Sequence, residues 1–204
     1  MPVLTIIAGP NGAGKSTHSK DLVAHLAIEA FDFDKEFYSI WSQFSFDPAI
    51  EQGAFDRAQL LYIERRAEAL QRQSSFAFET NYHTQEILSV IDQFKTSGYK
   101  LELIFICLED ISIAIERVKE RVAKGGHQVS EEIISERFKK GLALLDESFL
   151  LYDNVSIYLS KWKNIEPLLS TEPQSGSITL FNPFPEAIKL RLKNLDKFLS
   201  SNIA

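Results

Sequence analysis

Apolar residues follow two rhythms along this chain. Residues 3–8 (VLTIIA), 75–80 (SFAFET), 100–108 (KLELIFICL) and 155–159 (VSIYL) are short, nearly unbroken apolar runs. Runs of this length, rich in β-branched and aromatic residues, predict strands of a largely buried parallel sheet. Between them, apolar positions recur every three or four residues. Leu22, Val23, Leu26 and Ala27 mark one such face, Ala54, Ala58, Leu61 and Ala69 a second, Ile87, Leu88, Ile91 and Phe94 a third, and Ile111, Ile115, Val118 and Val122 a fourth. This spacing predicts amphipathic helices over 15–27, 47–73, 84–98 and 111–126. The punctuation agrees: Asp47 before Pro48 starts a helix, Gly98 stops one, and Ser130 before Glu131 and Glu132 caps another. Gly53 is expected to interrupt the first turns of 47–73. Residues 29–34 (EAFDFD) read as a short strand ending on acids. Residues 170–177 read as a loop, 177–181 as an edge strand, and 186–201 as one last helix with Ile188, Leu192, Leu195 and Leu199 inward.

Strands alternating with helices predict an α/β domain with a mainly parallel sheet and right-handed crossovers. With 204 residues, 45% of them apolar, the chain fits a single domain: a core over 1–165 and an extension over 166–204 packing on it. The net charge of -6 argues against wholesale nucleic-acid binding. No stretch approaches the ~18 consecutive apolar residues of a membrane span, and the N-terminus lacks a secretory pattern, so a cytoplasmic protein is expected. The single cysteine, Cys107, sits in an apolar run; it excludes an intrachain disulfide and is expected to be buried. Four scattered histidines suggest no metal site.

One segment changes the picture. Residues 9–17, GPNGAGKST, fit the Walker A pattern G-x-x-x-x-G-K-[ST] between a predicted strand and a predicted helix. The turn through Gly9, Pro10, Asn11, Gly12, Ala13 and Gly14 would cradle phosphates with backbone N–H groups, helped by the helix N-terminus. Lys15 would reach the β- and γ-phosphates, Ser16 would place its hydroxyl on Mg²⁺, and Thr17 would bond an α-phosphate. Asp32 and Asp34 alternate with Phe31 and Phe33, so a strand there would put both acids on one face, at the sheet edge where α/β folds bind ligands. Asp34 is the candidate base toward an acceptor hydroxyl and a candidate metal ligand, with Asp32 beside it. Glu79 and Thr80 end the next strand at the same edge and are candidate substrate contacts. Arg117, Arg121 and Lys124 share one helix face, followed by Gly125, Gly126 and His127, then Arg137. Two helices across a Gly-Gly hinge suggest a small lid closing guanidinium groups onto a transferring phosphoryl. His127 is a candidate hinge or substrate contact.

The segments AGPNGAGKST, DFD, FAFET and RVKERVAKGGHQVSEEIISERF, in this order, resemble the zeta-toxin family of P-loop kinases, in particular its compact bacterial branch often labelled predicted ABC-type ATPases. The resemblance spans about residues 1–160. It implies a P-loop NTPase fold and ATP-dependent kinase chemistry. It further implies that Lys15 and Ser16 serve ATP and Mg²⁺ and that Asp34 acts as base. Glu79 and Thr80 would lie on the substrate side, and Arg121 and Arg137, with Arg117 as companion, around the nucleotide phosphates. The family's best-known members phosphorylate the 3′-hydroxyl of UDP-N-acetylglucosamine and are restrained by a small antitoxin. Here FDFD stands where an Asn-Ala-Asp-like stretch is usual, and ETN where ETT is usual. A transporter ATPase would need an LSGGQ-like segment and an apolar strand ending Asp-Glu; FICLED ends in the reverse order, Glu109-Asp110. The guanine-reading NKxD pattern is absent too. Two readings remain: a small-molecule kinase, or a non-catalytic module whose nucleotide state controls a protein partner.

Overall fold

The apolar runs lie side by side. In the computed structural model, which describes residues 1–123, 128–162 and 164–202, β1 (Val3–Ala8), β2 (Phe76–Thr80), β3 (Lys100–Cys107) and β4 (Asn154–Ser160) are parallel and hydrogen-bonded in the order β2-β1-β3-β4. β1 is buried along all but its first residue, and β3 along all but two, as strands covered by helices on both faces must be. The chain leaves β1 toward β2, then crosses back over β1 to β3. That reversal opens a crevice at the carboxyl end of β1, the place where open α/β sheets bind ligands.

Helices fill the connections: α1 (Lys15–Leu22) after β1, then α2 (Phe33–Ser42) and α3 (Glu51–Arg72), α4 (Glu86–Thr96) between β2 and β3, and α5 (Ile111–Ala123) and α6 (Glu131–Ser148) between β3 and β4. Asp47 caps a short 3₁₀ turn, Pro48–Ile50, that leads into α3, and Ser130 caps α6. Gly53 does not interrupt α3, which runs unbroken for 22 residues. Cys107 lies in the core, where burial pushes its thiol pKa up.

Three further expectations fail. Residues 29–34 form no strand: Phe31 makes an isolated parallel bridge to Phe78, and the chain turns at once into α2. The Asp32 side chain accepts the Lys35 N–H and caps that helix. Asp32 and Asp34 therefore face the same crevice through a cap and a first helical turn, not through strand alternation. Residues 165–172, which carry Pro167, form β5 (Ile165–Glu172), antiparallel to β4 and followed by a tight turn into β6 (Ser177–Leu180). Pro167 is tolerated because it sits at the register irregularity against Tyr158, beyond the reach of β6. Residues 186–201 are two helices, α7 (Glu186–Lys189) and α8 (Lys193–Asn202).

The break before α8 has a tertiary cause. Asp146 on α6 is 8% exposed, and its two carboxylate oxygens accept the N–H groups of Asn194 (3.0 Å) and Leu195 (2.9 Å). A carboxylate from another helix thus does the work of an N-cap. Ile188, Leu192 and Leu195 are buried in the common core. Asp146→Ala is expected to cost about 1–2 kcal/mol of stability and to loosen 193–202 first. Denaturant unfolding and amide hydrogen exchange check the two effects.

Candidate functional site

The glycine loop leaves β1 against β3. Gly9 has φ 148°, and a Cβ there would lie 2.4 Å from the carbonyl oxygen of Ile106. Only glycine permits so close a pass of backbone over backbone. The loop then curls around Lys15, whose ammonium donates to Gly9 O (2.8 Å), Pro10 O (3.2 Å) and Asn81 Oδ1 (3.0 Å). Burial pulls the Lys15 pKa from 10.5 down to about 8, while Glu79, Asp34 and Asp32 act to raise it. The side chain is thus a buried cation held among carbonyl oxygens.

A cleft of about 500 Å³ opens above the loop. Lys15, Ser16 and Thr17 line it from α1, Asp32 and Asp34 from the start of α2, Glu79 and Thr80 from the end of β2. Arg117 and Arg121 reach it from α5, and Arg137 from α6. Segments far apart in sequence meet here because four parallel strands end along one edge. His127, Lys124 and the Gly125–Gly126 hinge lie outside the described residues.

Each side chain has a local reason for its position. Ser16 donates to Glu79 Oε2 at 2.7 Å. Burial raises the Glu79 pKa, and the Ser16 bond opposes that shift. Thr80 Oγ1 accepts the Tyr82 N–H (3.0 Å). Arg117 donates to Gly12 O (3.1 Å), Ser160 Oγ (2.6 Å) and Lys161 O (2.9 Å), so it ties the loop to the end of β4. Arg137 donates to Asn11 Oδ1 at 3.3 Å, bridging α6 to the loop. Burial lowers the Arg137 pKa, and Asp34 opposes that shift.

Sequence reasoning missed four groups. Asn81, which receives Lys15, entered only as a departure from ETT. Its corner is fixed by Tyr82, a buried residue at φ 55° whose hydroxyl bonds Ser148 Oγ (2.7 Å) and Tyr152 Oη (2.8 Å). His83 lines the cleft too, with its pKa lowered by burial and then by Arg137. Phe33 and Phe55 complete the wall. A tyrosine in left-handed backbone cannot be foreseen from the string ETNYH; the contacts holding it come from residues about seventy positions away.

For a divalent cation, the Ser16 hydroxyl and the Asp34 carboxylate are hard oxygen donors of the kind Mg²⁺ takes. Among the described residues, no group of three or more His, Cys, Asp or Glu gathers into an all-protein metal site.

Nucleotide phosphates would keep Lys15 charged, whereas in the free protein it loses its proton near pH 8. ATP affinity is expected to be flat below about pH 8 and to fall toward tenfold per unit above it. Calorimetry from about pH 7 to about pH 9.5 reads this, and Lys15→Met should abolish the dependence.

No family model matches the chain, and no curated protein matches it in sequence. Solved structures do match in fold. The PezAT chromosomal toxin–antitoxin system of Streptococcus pneumoniae aligns with TM-score 0.60 and 14% identity over 100% of this chain and 88% of that one. The AvrRxo1-ORF1:-ORF2 complex aligns with TM-score 0.64 and 15% identity over 99% of this chain and 71% of that one. The same complex with ATP gives TM-score 0.62 and 16% identity; 95% of this chain spans 63% of that one. Among the described residues, no helix is long and apolar enough to cross a membrane. The fold is shared with these structures: a mostly parallel sheet flanked by helices, with its glycine loop at the switch point.

Proposed function

We propose that the chain is an ATP-dependent phosphotransferase that moves the terminal phosphoryl of ATP onto a hydroxyl of a small molecule. What supports this reading is one observation: Lys15, Ser16, Asp34, Arg121 and Arg137 line a single cleft at the carboxyl edge of the sheet. The glycine loop and Lys15 hold the phosphates. Arg137, already bonded to Asn11, faces them from α6, and Arg121 from α5. Asp34 takes the proton of the acceptor hydroxyl as that oxygen bonds to the terminal phosphorus. The bond from phosphorus to the bridging oxygen breaks, and ADP leaves with its electron pair. Ser16 and Asp34 would hold a Mg²⁺ ion, which when bound supplies charge neutralisation on the phosphate oxygens. Most of the acceleration comes from positioning and fixed charge, because little covalent chemistry falls to the protein.

The resemblance to zeta toxins makes UDP-N-acetylglucosamine the first nucleotide sugar to try as acceptor. The same resemblance, with the toxin–antitoxin and two-protein complexes among the neighbours, supports a small antitoxin-like protein as partner. Co-expression with small neighbouring open reading frames, read by size exclusion, should yield one stable complex.

Asp34→Asn should keep ATP affinity within a few-fold and lower phosphoryl transfer by about 10²-fold or more. Product formation from ATP and a metabolite panel, beside calorimetry, measures both. Transfer at the wild-type rate would remove Asp34 as base. ATP binding without transfer to any acceptor would leave a nucleotide-dependent binding module as the reading.

A further inference from the structure

The turn between α2 and α3 is open to water yet firmly built. Every residue from Ser42 to Gly53 is exposed, and two phenylalanines lie among them, Phe44 at 52% and Phe46 at 51%. The Trp41 indole N–H donates to the Asp47 carbonyl oxygen at 2.8 Å, and the Phe46 N–H donates to the Trp41 carbonyl oxygen at 3.3 Å. The Phe46 ring meets Trp41 edge to face, with centroids 5.5 Å apart. Ser45 and Phe46 take φ of 54° and 58° in succession. Left-handed backbone is unfavourable for a bulky side chain, and a ring left half in water gains little packing to offset it. Glycine or asparagine would make the same turn without strain. A strained, hydrogen-bonded turn that holds two aromatic rings outward is a surface prepared for another molecule.

We infer that this turn is a docking site for a protein segment that carries Lys or Arg beside apolar side chains. The inference stands apart from the phosphotransferase reading, since it needs neither ATP nor transfer.

Charge selects the occupant. Residues 36–56 contain Glu36, Asp47, Glu51 and Asp56 and no Lys, Arg or His. Within the exposed stretch, Asp47 and Glu51 bracket Ile50, which is 36% exposed. The cations near the hairpin stand at its ends or on its inner side. Lys35 lies in the first turn of α2, roughly 13 Å along the helix from Phe44. Arg57 is turned to Glu64 at 3.3 Å. Arg121 acts on Tyr38, and Arg137 shares a chamber with Pro48 and Glu51 while donating to Asn11. Apolar side chains with carboxylates beside them complement a basic amphipathic segment, and exposed aromatic rings are the groups that anchor protein interfaces. Other occupants fit worse. A second copy would bring the same acids opposite themselves across a two-fold axis. An anionic lipid surface would repel them.

The test uses the full chain with Trp162→Phe, so that Trp41 alone reports on the turn. Three synthetic peptides of ~18 residues are the probes: Leu and Lys at helical spacing, Leu and Glu in the same pattern, and the Leu/Lys peptide scrambled to break its apolar face. The basic amphipathic peptide should shift Trp41 emission and, by calorimetry, bind at least about tenfold more tightly than either control. Phe44→Ser with Phe46→Gly should weaken it about tenfold or more. Glycine suits the left-handed backbone, so this variant should fold and keep the wild-type affinity for ATP. Asp47→Asn with Glu51→Gln keeps a capping side chain and should weaken the peptide about threefold or more, with a flatter salt dependence. The inference is overturned by no binding, by equal binding of the Leu/Glu peptide, or by an affinity that the Phe44 and Phe46 changes leave untouched. Anionic vesicles or self-association that depend on the two phenylalanines, in place of peptide binding, would overturn it in favour of a lipid surface or a second copy. Failure of every form to bind ATP would end the phosphotransferase reading and leave this one standing.

Discussion

The site is organised around the Lys15 ammonium. It gathers two carbonyls of its own loop and the Oδ1 of Asn81, and so closes the glycine turn on itself while tying it to the end of β2. A buried ammonium without such partners would shed its proton or unfold the turn. With them it keeps a pKa near 8, low enough to show the strain of burial and high enough to remain mostly charged near neutrality. The loop is therefore closed around its own cation, with the ammonium held by three oxygens.

The helix α6 connects this centre to the rest of the molecule. Arg137, Gly141 and Ser148 recur along one face of it. Arg137 bonds the glycine loop. Gly141 lets the helix approach the Asn81–Tyr82 backbone, since a Cβ there would lie 3.1 Å from the Asn81 carbonyl oxygen. Ser148 holds the Tyr82 hydroxyl. Asp146, near the same end, receives α8. One helix thus sets the nucleotide side, the corner that holds Lys15, and the seat of the C-terminal segment. A shift of α6 would be felt at all three, because packed interiors transmit displacement rather than absorb it.

The wall beyond Asp34 is built differently. It stands on a helical hairpin with a separate core rather than on the sheet. Sheet edge and hairpin meet at Asp34, in the first turn of α2.

Much of this was legible in the sequence. The four parallel strands, the Walker A turn, the caps at Asp47 and Ser130, and the amphipathic faces of α4 and α5 each depend on a handful of neighbouring residues, so local patterns specify them. Glu79 could be named because strand ends gather along one edge, Asp32 and Asp34 were named from a strand alternation that the fold does not use, and the arginines from their helical spacing and the family resemblance. Tertiary structure alone decided the rest. FDFD alternates like a strand, yet the chain makes one bridge at Phe31 and turns into a helix that Asp32 caps. The last helix breaks because Asp146, about fifty residues earlier, caps its second half. Asn81 reaches Lys15 because Tyr82 is held in left-handed backbone by Ser148 and Tyr152. Each of these turns on one polar group meeting a partner far away in sequence, and a linear pattern carries no record of which distant donor and acceptor will be left for each other once the core has closed.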